Sequence, residues 1–316
     1  MNCLCCGKSL TAAEMESGWH KRCIRSFFGT SVLPEIAINE EVMSRIAVEN
    51  SRKGLTIPGV QKKLSLHLKS GAGKTRLTIV NYPSGYILKP QVEEFAALPE
   101  AEQLVMSMAD AAGIKTVPHA LLKGEDGFAY ITRRIDRRIS KDEVGMLAME
   151  DFCQLDLRPT RDKYKGSYER CGKIVQRYSS RAGLDMTEVF LRIAFSFLVG
   201  NSDMHLKNFS LIETDIRSNA YILSPAYDLL PVNLVMPEDE EQFALSLNGK
   251  KKNIHKKDFL AFAASCELPD KAAERMLARL CELRPVFTAM CRESLLPDEM
   301  KTGFLALMEE RWQAMQ

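Results

Sequence analysis

The segment DMTEVFLRIAFSFLVG, Asp185 to Gly200, is apolar on nearly every helical face. Val189, Phe190, Leu191, Ile193, Phe195, Phe197, Leu198 and Val199 leave no polar side wide enough to meet water, so a helix here has to lie in the middle of a domain. Asp185 followed by Glu188 has the spacing of a capping box and predicts the helix start. The chain then switches abruptly to NSDMHLKN, with Asn201, Asp203, His205 and Asn208 within eight positions. A polar loop capping a helix would use these residue types, and so would a catalytic loop.

The surrounding chain has the material for two modest domains. It has 316 residues, 46% of them hydrophobic, which is enough to bury a full core without covalent staples. From about Lys62 to Ile135 apolar residues alternate with polar ones between turn signals, in KKLSLHL, TRLTIV, YILKP, VPHALL and FAYITRRI, predicting antiparallel strands. PEAEQLVMSMADAAG interrupts them with helical spacing and Gly113 just past its end. After about Arg138 the pattern is helical, in AMEDFCQLDL, SYERCGKIVQRYS, the Asp185 segment, and runs near 257–265, 270–285 and 297–315. The expected organisation is a cysteine-rich module over 1–30, a β-rich lobe over 31–138 and a helical lobe over 139–316.

Bulk charge narrows little. Lys and Arg number 43 against 41 Asp and Glu, a formal charge of +2, so nothing in the balance calls for nucleic acid or an anionic membrane. No apolar run approaches the roughly 20 residues of a membrane span, and the start MNCLCCGKSL has no leader pattern. The chain reads as soluble and cytoplasmic, which agrees with nine cysteines, an odd number, scattered singly after the first cluster.

Phosphoryl transfer needs a loop over nucleotide phosphates, a lysine on them, a carboxylate at the acceptor hydroxyl, and oxygen ligands for a divalent metal. Candidates for each occur in a sensible order. TIPGVQKK, with Gly59, Val60, Gln61 and Lys62, runs into the first strand and could lay backbone N–H groups on phosphate. Lys89 lies inside the strand YILKP, where an ammonium is costly unless it faces a polar partner, and Glu102 on the lone helix could supply one. Asp203 is followed five positions later by Asn208, and Asp228 in SPAYDLLP follows an intervening strand pair. This is the spacing by which kinases place a base and two magnesium ligands, one neutral oxygen and one anionic.

TIPGVQKKLSL, YILKP, ITRRIDRR, MEDFCQ, GNSDMHLKNFSL and SPAYDLLP together resemble the HipA family of bacterial serine/threonine kinases, the toxins of toxin–antitoxin modules, over roughly Lys53 to Pro231. The resemblance implies an α+β, bilobal protein-kinase-like fold, with a β-rich N-lobe holding one helix and a mainly α-helical C-lobe, here preceded by a small zinc-ribbon-like module. It implies Asp203 as the catalytic aspartate and Asn208 and Asp228 as magnesium ligands. Lys89 would contact the ATP phosphates, the backbone of Arg133 to Ile135 would form the adenine hinge, and His205 would support local structure or phosphate. The chain resembles the compact HipT branch, in which a separate small HipS-like protein supplies a subdomain. The implied partners are that protein, a HipB-type antitoxin, and an aminoacyl-tRNA synthetase as target, with direct nucleic-acid binding and membrane contact not expected.

One feature departs from full-length HipA. Pro58 stands where the family carries an autophosphorylated serine before the loop glycine, and Thr56, two residues earlier, becomes the expected autophosphorylation site. The cluster RRIDRR, Arg133 to Arg138, is expected to pair with acids of the helical lobe.

In the first module Cys3 and Cys6 are separated by two residues, and His20 and Cys23 repeat that separation fourteen positions on. Three thiolates and one imidazole at this spacing suit a closed tetrahedral zinc site, with Cys5 spare. Two rival functions share these residues: a zinc-dependent nucleic-acid-binding regulator on an inactive kinase scaffold, and a small-molecule kinase.

Overall fold

The computed structural model describes residues 1–35, 63–71, 74–79, 85–124, 127–139 and 144–316. The chain divides into two compact units, Met1–Gln103 with Val117–Val144, and Leu104–Thr116 with Gly145–Gln316.

The first unit is built on five antiparallel strands: β1 (Leu64–Gly71), β2 (Lys74–Ile79), β3 (Tyr86–Pro90), β4 (His119–Lys123) and β5 (Phe128–Arg133), in the order β2-β1-β3-β5-β4. The strands expected from alternation all form. Between β3 and β4 runs helix α2 (Leu98–Ala112), which ends where Gly113 takes a left-handed conformation. Ahead of the sheet, helix α1 (Lys21–Phe28) belongs to the cysteine-rich segment. Phe27 and Phe28 pack against Tyr86 of β3, whose hydroxyl donates to the Phe27 carbonyl, and Trp19 packs against both phenylalanines.

Two short strands, β6 (Arg137–Ile139) and β7 (Val144–Met146), precede the main body of the second unit. That unit holds β8 (Met149–Asp151), β9 (Ser210–Glu213) and β10 (Tyr221–Leu223), in the order β10-β9-β8. Its helices are α3 (Phe152–Leu155), α4 (Tyr168–Tyr178), α5 (Ala182–Leu198), α6 (Val232–Val235), α7 (Lys256–Ser265), α8 (Asp270–Glu282), α9 (Arg284–Glu293) and α10 (Asp298–Met315). The expectation of a helix over AMEDFCQLDL is corrected. Met149–Asp151 pairs with β9 instead, and only one helical turn follows, started by a capping box in which Asp151 accepts from the Gln154 N–H while Gln154 accepts from the Asp151 N–H.

Helix α5 is the buried centre of the second unit, with Phe190 stacked on Phe262, Phe195 edge-on to Phe287, and Phe197 against Phe243 and Phe259. The C-terminal helices, which carry no recognisable motif, supply these walls. The helix begins at Ala182, so Asp185 lies within its first turn and does not cap it. With Glu188 and Arg192 it forms a polar stripe at i, i+3 and i+7. Asp185, 1% exposed, accepts from the Ser179 hydroxyl (2.6 Å), the Arg181 guanidinium (2.9 Å) and the Leu223 N–H (2.7 Å). Arg192, also 1% exposed, pairs with Glu188 and donates to the Ser224 carbonyl at 2.7 Å. Both buried charges therefore hold the strand end that leads to Asp228.

The other end of α5 is closed by Gly200. The Gly200 N–H bonds the Phe197 carbonyl and the Asn201 N–H bonds the Ser196 carbonyl, a Schellman arrangement that requires the left-handed φ of +68° at Gly200. A Cβ at this position would meet Leu307 Cδ2 at 2.6 Å and Asn233 Cβ at 3.3 Å. Gly200→Ala combines backbone strain with overpacking and is expected to destabilise the protein by about 2–4 kcal/mol in urea unfolding. A cost below about 0.5 kcal/mol would show that the helix end tolerates another geometry.

Candidate active site

In the first unit, β3 carries Lys89 to a position only 3% exposed, opposite Tyr130 of β5. Leaving an ammonium there alone would cost several kcal/mol. The expected partner meets it: Glu102 Oε1, on α2 and 1% exposed, accepts from Lys89 Nζ at 2.5 Å, and the ammonium lies 5.2 Å from the Tyr130 ring centroid. Further along, the Arg133 N–H donates to the Pro118 carbonyl, the Arg134 N–H to the Gly85 carbonyl, and Ile135 is half-buried in the turn that follows. The arginine cluster pairs within itself, which corrects the expectation of helical-lobe partners. Arg134 and Arg137 both reach Asp136 Oδ2, at 2.7 and 2.6 Å. Burial alone would raise the Asp136 carboxyl, but the two guanidinium groups hold it below its ordinary range. Thr56, Gly59, Val60, Gln61 and Lys62 lie outside the described residues.

In the second unit, the turn after Gly200 carries Asp203, His205 and Asn208, and Asn208 meets the segment that holds Asp228. The Tyr164 hydroxyl donates to Asp203 Oδ1 at 2.8 Å, and the Tyr164 ring meets His205 edge to face at 5.1 Å. Burial, and then the Asp203 charge, raise the Tyr164 phenol well above its ordinary value, so it stays protonated and donating. The His205 N–H returns to the Asp203 carbonyl, and the Asn208 N–H to the His205 carbonyl, so the loop folds on itself with no regular ladder.

Two crosswise ties join this loop to the segment after β10. Asn208 Nδ2 donates to the Asp228 carbonyl at 3.4 Å, and the Tyr227 hydroxyl donates to the Lys207 carbonyl at 3.0 Å. Adjacent residues on each segment thus hold each other in register. Asp228 has φ +58°, a left-handed conformation uncommon for a residue with a side chain, and such outliers concentrate at functional sites. The donor chemistry fits a hard divalent cation. With its amide nitrogen turned to the Asp228 backbone carbonyl, Asn208 keeps its side-chain oxygen as the end that can ligate.

Several contributors were not foreseen from the sequence. Tyr164 sits in an unremarkable RDKYKG turn with no local signal. Lys207 Nζ pairs with Asp151 Oδ2 at 2.5 Å, and Ser202 donates to Asp239. Only Asp151 had a readable mark, the D-x-x-Q spacing of its cap.

The HipA-like C-terminal domain model matches residues 55–285. The chain belongs to the HipA-like family. It is 33% identical over 232 residues, 68% of this chain and 54% of the relative, to a Sinorhizobium fredii protein named "Putative kinase Y4dM", and 28% identical over 214 residues, 63% and 59%, to a "Putative kinase" of Haemophilus influenzae. The chain spans about half the length of the curated relatives it matches. Among solved structures it is similar to Shewanella oneidensis MR-1 HipA, solved with HipB and operator DNA, with a TM-score of 0.67 at 21% identity, covering 82% of this chain and 64% of that one. It is also similar to the Helicobacter pylori proinflammatory kinase CtkA, with a TM-score of 0.53 at 15% identity, covering 78% and 90%. The HipA-like chain therefore has a kinase-like α+β fold.

The Lys89–Glu102 pair gives a direct test of buried-charge coupling. Lys89→Met should destabilise by about 3 kcal/mol in chemical denaturation because Glu102 is left buried without its cation, and Lys89→Met with Glu102→Leu should recover most of that loss. Equal losses in the single and double variants would show that the pair is not coupled.

Proposed function

We propose that this HipA-like protein is an ATP-dependent serine/threonine protein kinase of the compact HipT-like kind, the toxin of a toxin–antitoxin module. The observation that carries this reading is the crosswise tie of Asn208 and Asp228, with Asp203 five positions earlier in the same loop. In this reading Asn208 and Asp228 would hold magnesium, which would supply charge neutralisation at the nucleotide phosphates. Asp203 orients the acceptor hydroxyl and takes its proton as that oxygen bonds the γ-phosphorus and the bond to the ADP oxygen breaks. Tyr164 fixes one oxygen of Asp203 and so its direction. Lys89, steered by Glu102, meets the phosphates, assisted by the backbone of Gly59 to Lys62, with His205 supporting the loop. Adenine would be read by groups of Arg133 to Ile135 other than the two N–H groups used within the sheet.

The functional divisions in this reading are 1–30, 31–138 and 139–316. The target is an aminoacyl-tRNA synthetase, whose modification stops translation in the cytoplasm, and a HipB-type antitoxin and a HipS-like protein are the regulators. Autophosphorylation at Thr56 would add about two negative charges to the ATP loop and switch the enzyme off. No described helix is long and apolar enough to cross a membrane.

One experiment tests the set. The protein and its Asp203→Ala variant are incubated with labelled ATP, magnesium and a cytosolic lysate, followed by peptide mapping. The expected result is a labelled synthetase-sized band, absent with the variant by at least about a hundredfold, and phosphate on Thr56. Equal labelling by the variant would overturn the catalytic assignment, and phosphate only at other positions would overturn the switch.

A further inference from the structure

The cysteine-rich segment touches the sheet in a specific way. Strand β4 is the last in the sheet order, so among the described residues one side of its backbone has no neighbouring strand. An edge of that kind leaves N–H and C=O groups open to water or to a foreign strand. Leu121, in the middle of β4, has both of these groups covered. Its N–H donates to the Leu4 carbonyl at 2.9 Å, and its carbonyl accepts from the indole Nε1 of Trp19 at 3.2 Å. Trp19 is fully buried, at 0% exposure. Both contacts come from residues beside potential metal ligands, since Leu4 follows Cys3 and Trp19 precedes His20.

The thiols of Cys3, Cys6 and Cys23 and a ring nitrogen of His20 all lie within 4.8 Å of one another. His20 Nε2 faces the Ser9 carbonyl at 3.0 Å, which makes Nε2 the protonated nitrogen and leaves Nδ1 as a lone-pair donor. Nδ1 lies 3.3 Å from Cys6 Sγ and 3.8 Å from Cys23 Sγ, separations suited to ligands around one tetrahedral ion. The apolar side chains of the segment, among them Leu4, Trp19, Phe27 and Phe28, are buried, but its regular structure is slight. Only α1 is regular beyond a single 3-10 turn, and a turn at Gly7 and a bend at Gly18 set the two knuckles.

We infer that Cys3, Cys6, His20 Nδ1 and Cys23 bind a structural zinc ion, and that this ion fastens Leu4 and Trp19 as a clasp over the open edge of β4. Zinc then acts outside the catalytic machinery: it closes the sheet edge of the unit that carries Lys89. Losing it exposes Leu121 to exchange and to strand pairing.

The test uses the full chain purified without chelator. Elemental analysis should give about one zinc per chain, and cobalt replacement should give the visible absorption of a tetrahedral thiolate site. Cys6→Ser and Cys23→Ser should lose the metal, whereas Cys5→Ser should keep it. Should the ligand variants fail to fold, wild-type protein stripped with a strong chelator replaces them. Hydrogen exchange of the Leu121 amide should then speed up by about tenfold or more, while Leu211 in the other unit stays unchanged. Absence of zinc together with failure to take up cobalt overturns the site, as does metal loss in Cys5→Ser. Metal removal that leaves Leu121 exchange unaltered overturns the clasp.

Discussion

Helix α5 is buried along most of its length, with aromatic side chains packed against Phe190, Phe195 and Phe197, so each polar group buried on it or emerging from its end has to find a partner in the protein. That requirement organises the second unit. Asp185 and Arg192, the charged residues buried on the helix, meet it by gripping Leu223 and Ser224, and this grip fixes where the chain to Asp228 begins. At the C-terminal end the same requirement is met by the Schellman closure at Gly200, which satisfies the last carbonyls and delivers Asn201 to Asn208 as a compact loop.

Rigidity is then passed to the reactive groups through neighbours and not through the groups themselves. Tyr227 holds Lys207 while Asn208 holds Asp228, and Tyr164 holds Asp203 from a different part of the chain. The first unit solves a related problem with Lys89. Its ammonium, buried inside a strand, is kept there by the carboxylate of Glu102, which α2 brings. Each unit therefore contains polar groups whose stability depends on a few named contacts.

Much of this was readable in advance, because period-two alternation and the all-round apolar helix are direct consequences of burial. The five strands, α2, and the order of Lys89, Asp203, Asn208 and Asp228 were visible for that reason. The start of α5 was misplaced because an acid followed by Glu at the third position fits a cap and a buried polar stripe equally well. Met149–Asp151 was taken for helix because three residues are too few to show a period. Tyr164 and Tyr227 were invisible, since their roles come from contacts 39 and 20 positions away in sequence. The cysteine knuckles were legible as candidate ligands, but the contacts of their neighbours with β4 were not, because Leu4 and Trp19 carry no metal-site pattern themselves.

Membership of the HipA-like family sets the chemistry to be examined, and the site makes it specific. The decisive quantity is nucleotide affinity, since Asn208 and Asp228 are proposed to hold the cation that binds with it. Calorimetric titration of a non-hydrolysable ATP analogue with magnesium into the wild type, Asn208→Ala and Asp228→Asn measures it directly. The account predicts at least about tenfold weaker binding in each variant, about 1.4 kcal/mol or more, with the difference vanishing when magnesium is withheld. Unchanged affinity in both variants, with magnesium present, would contradict it.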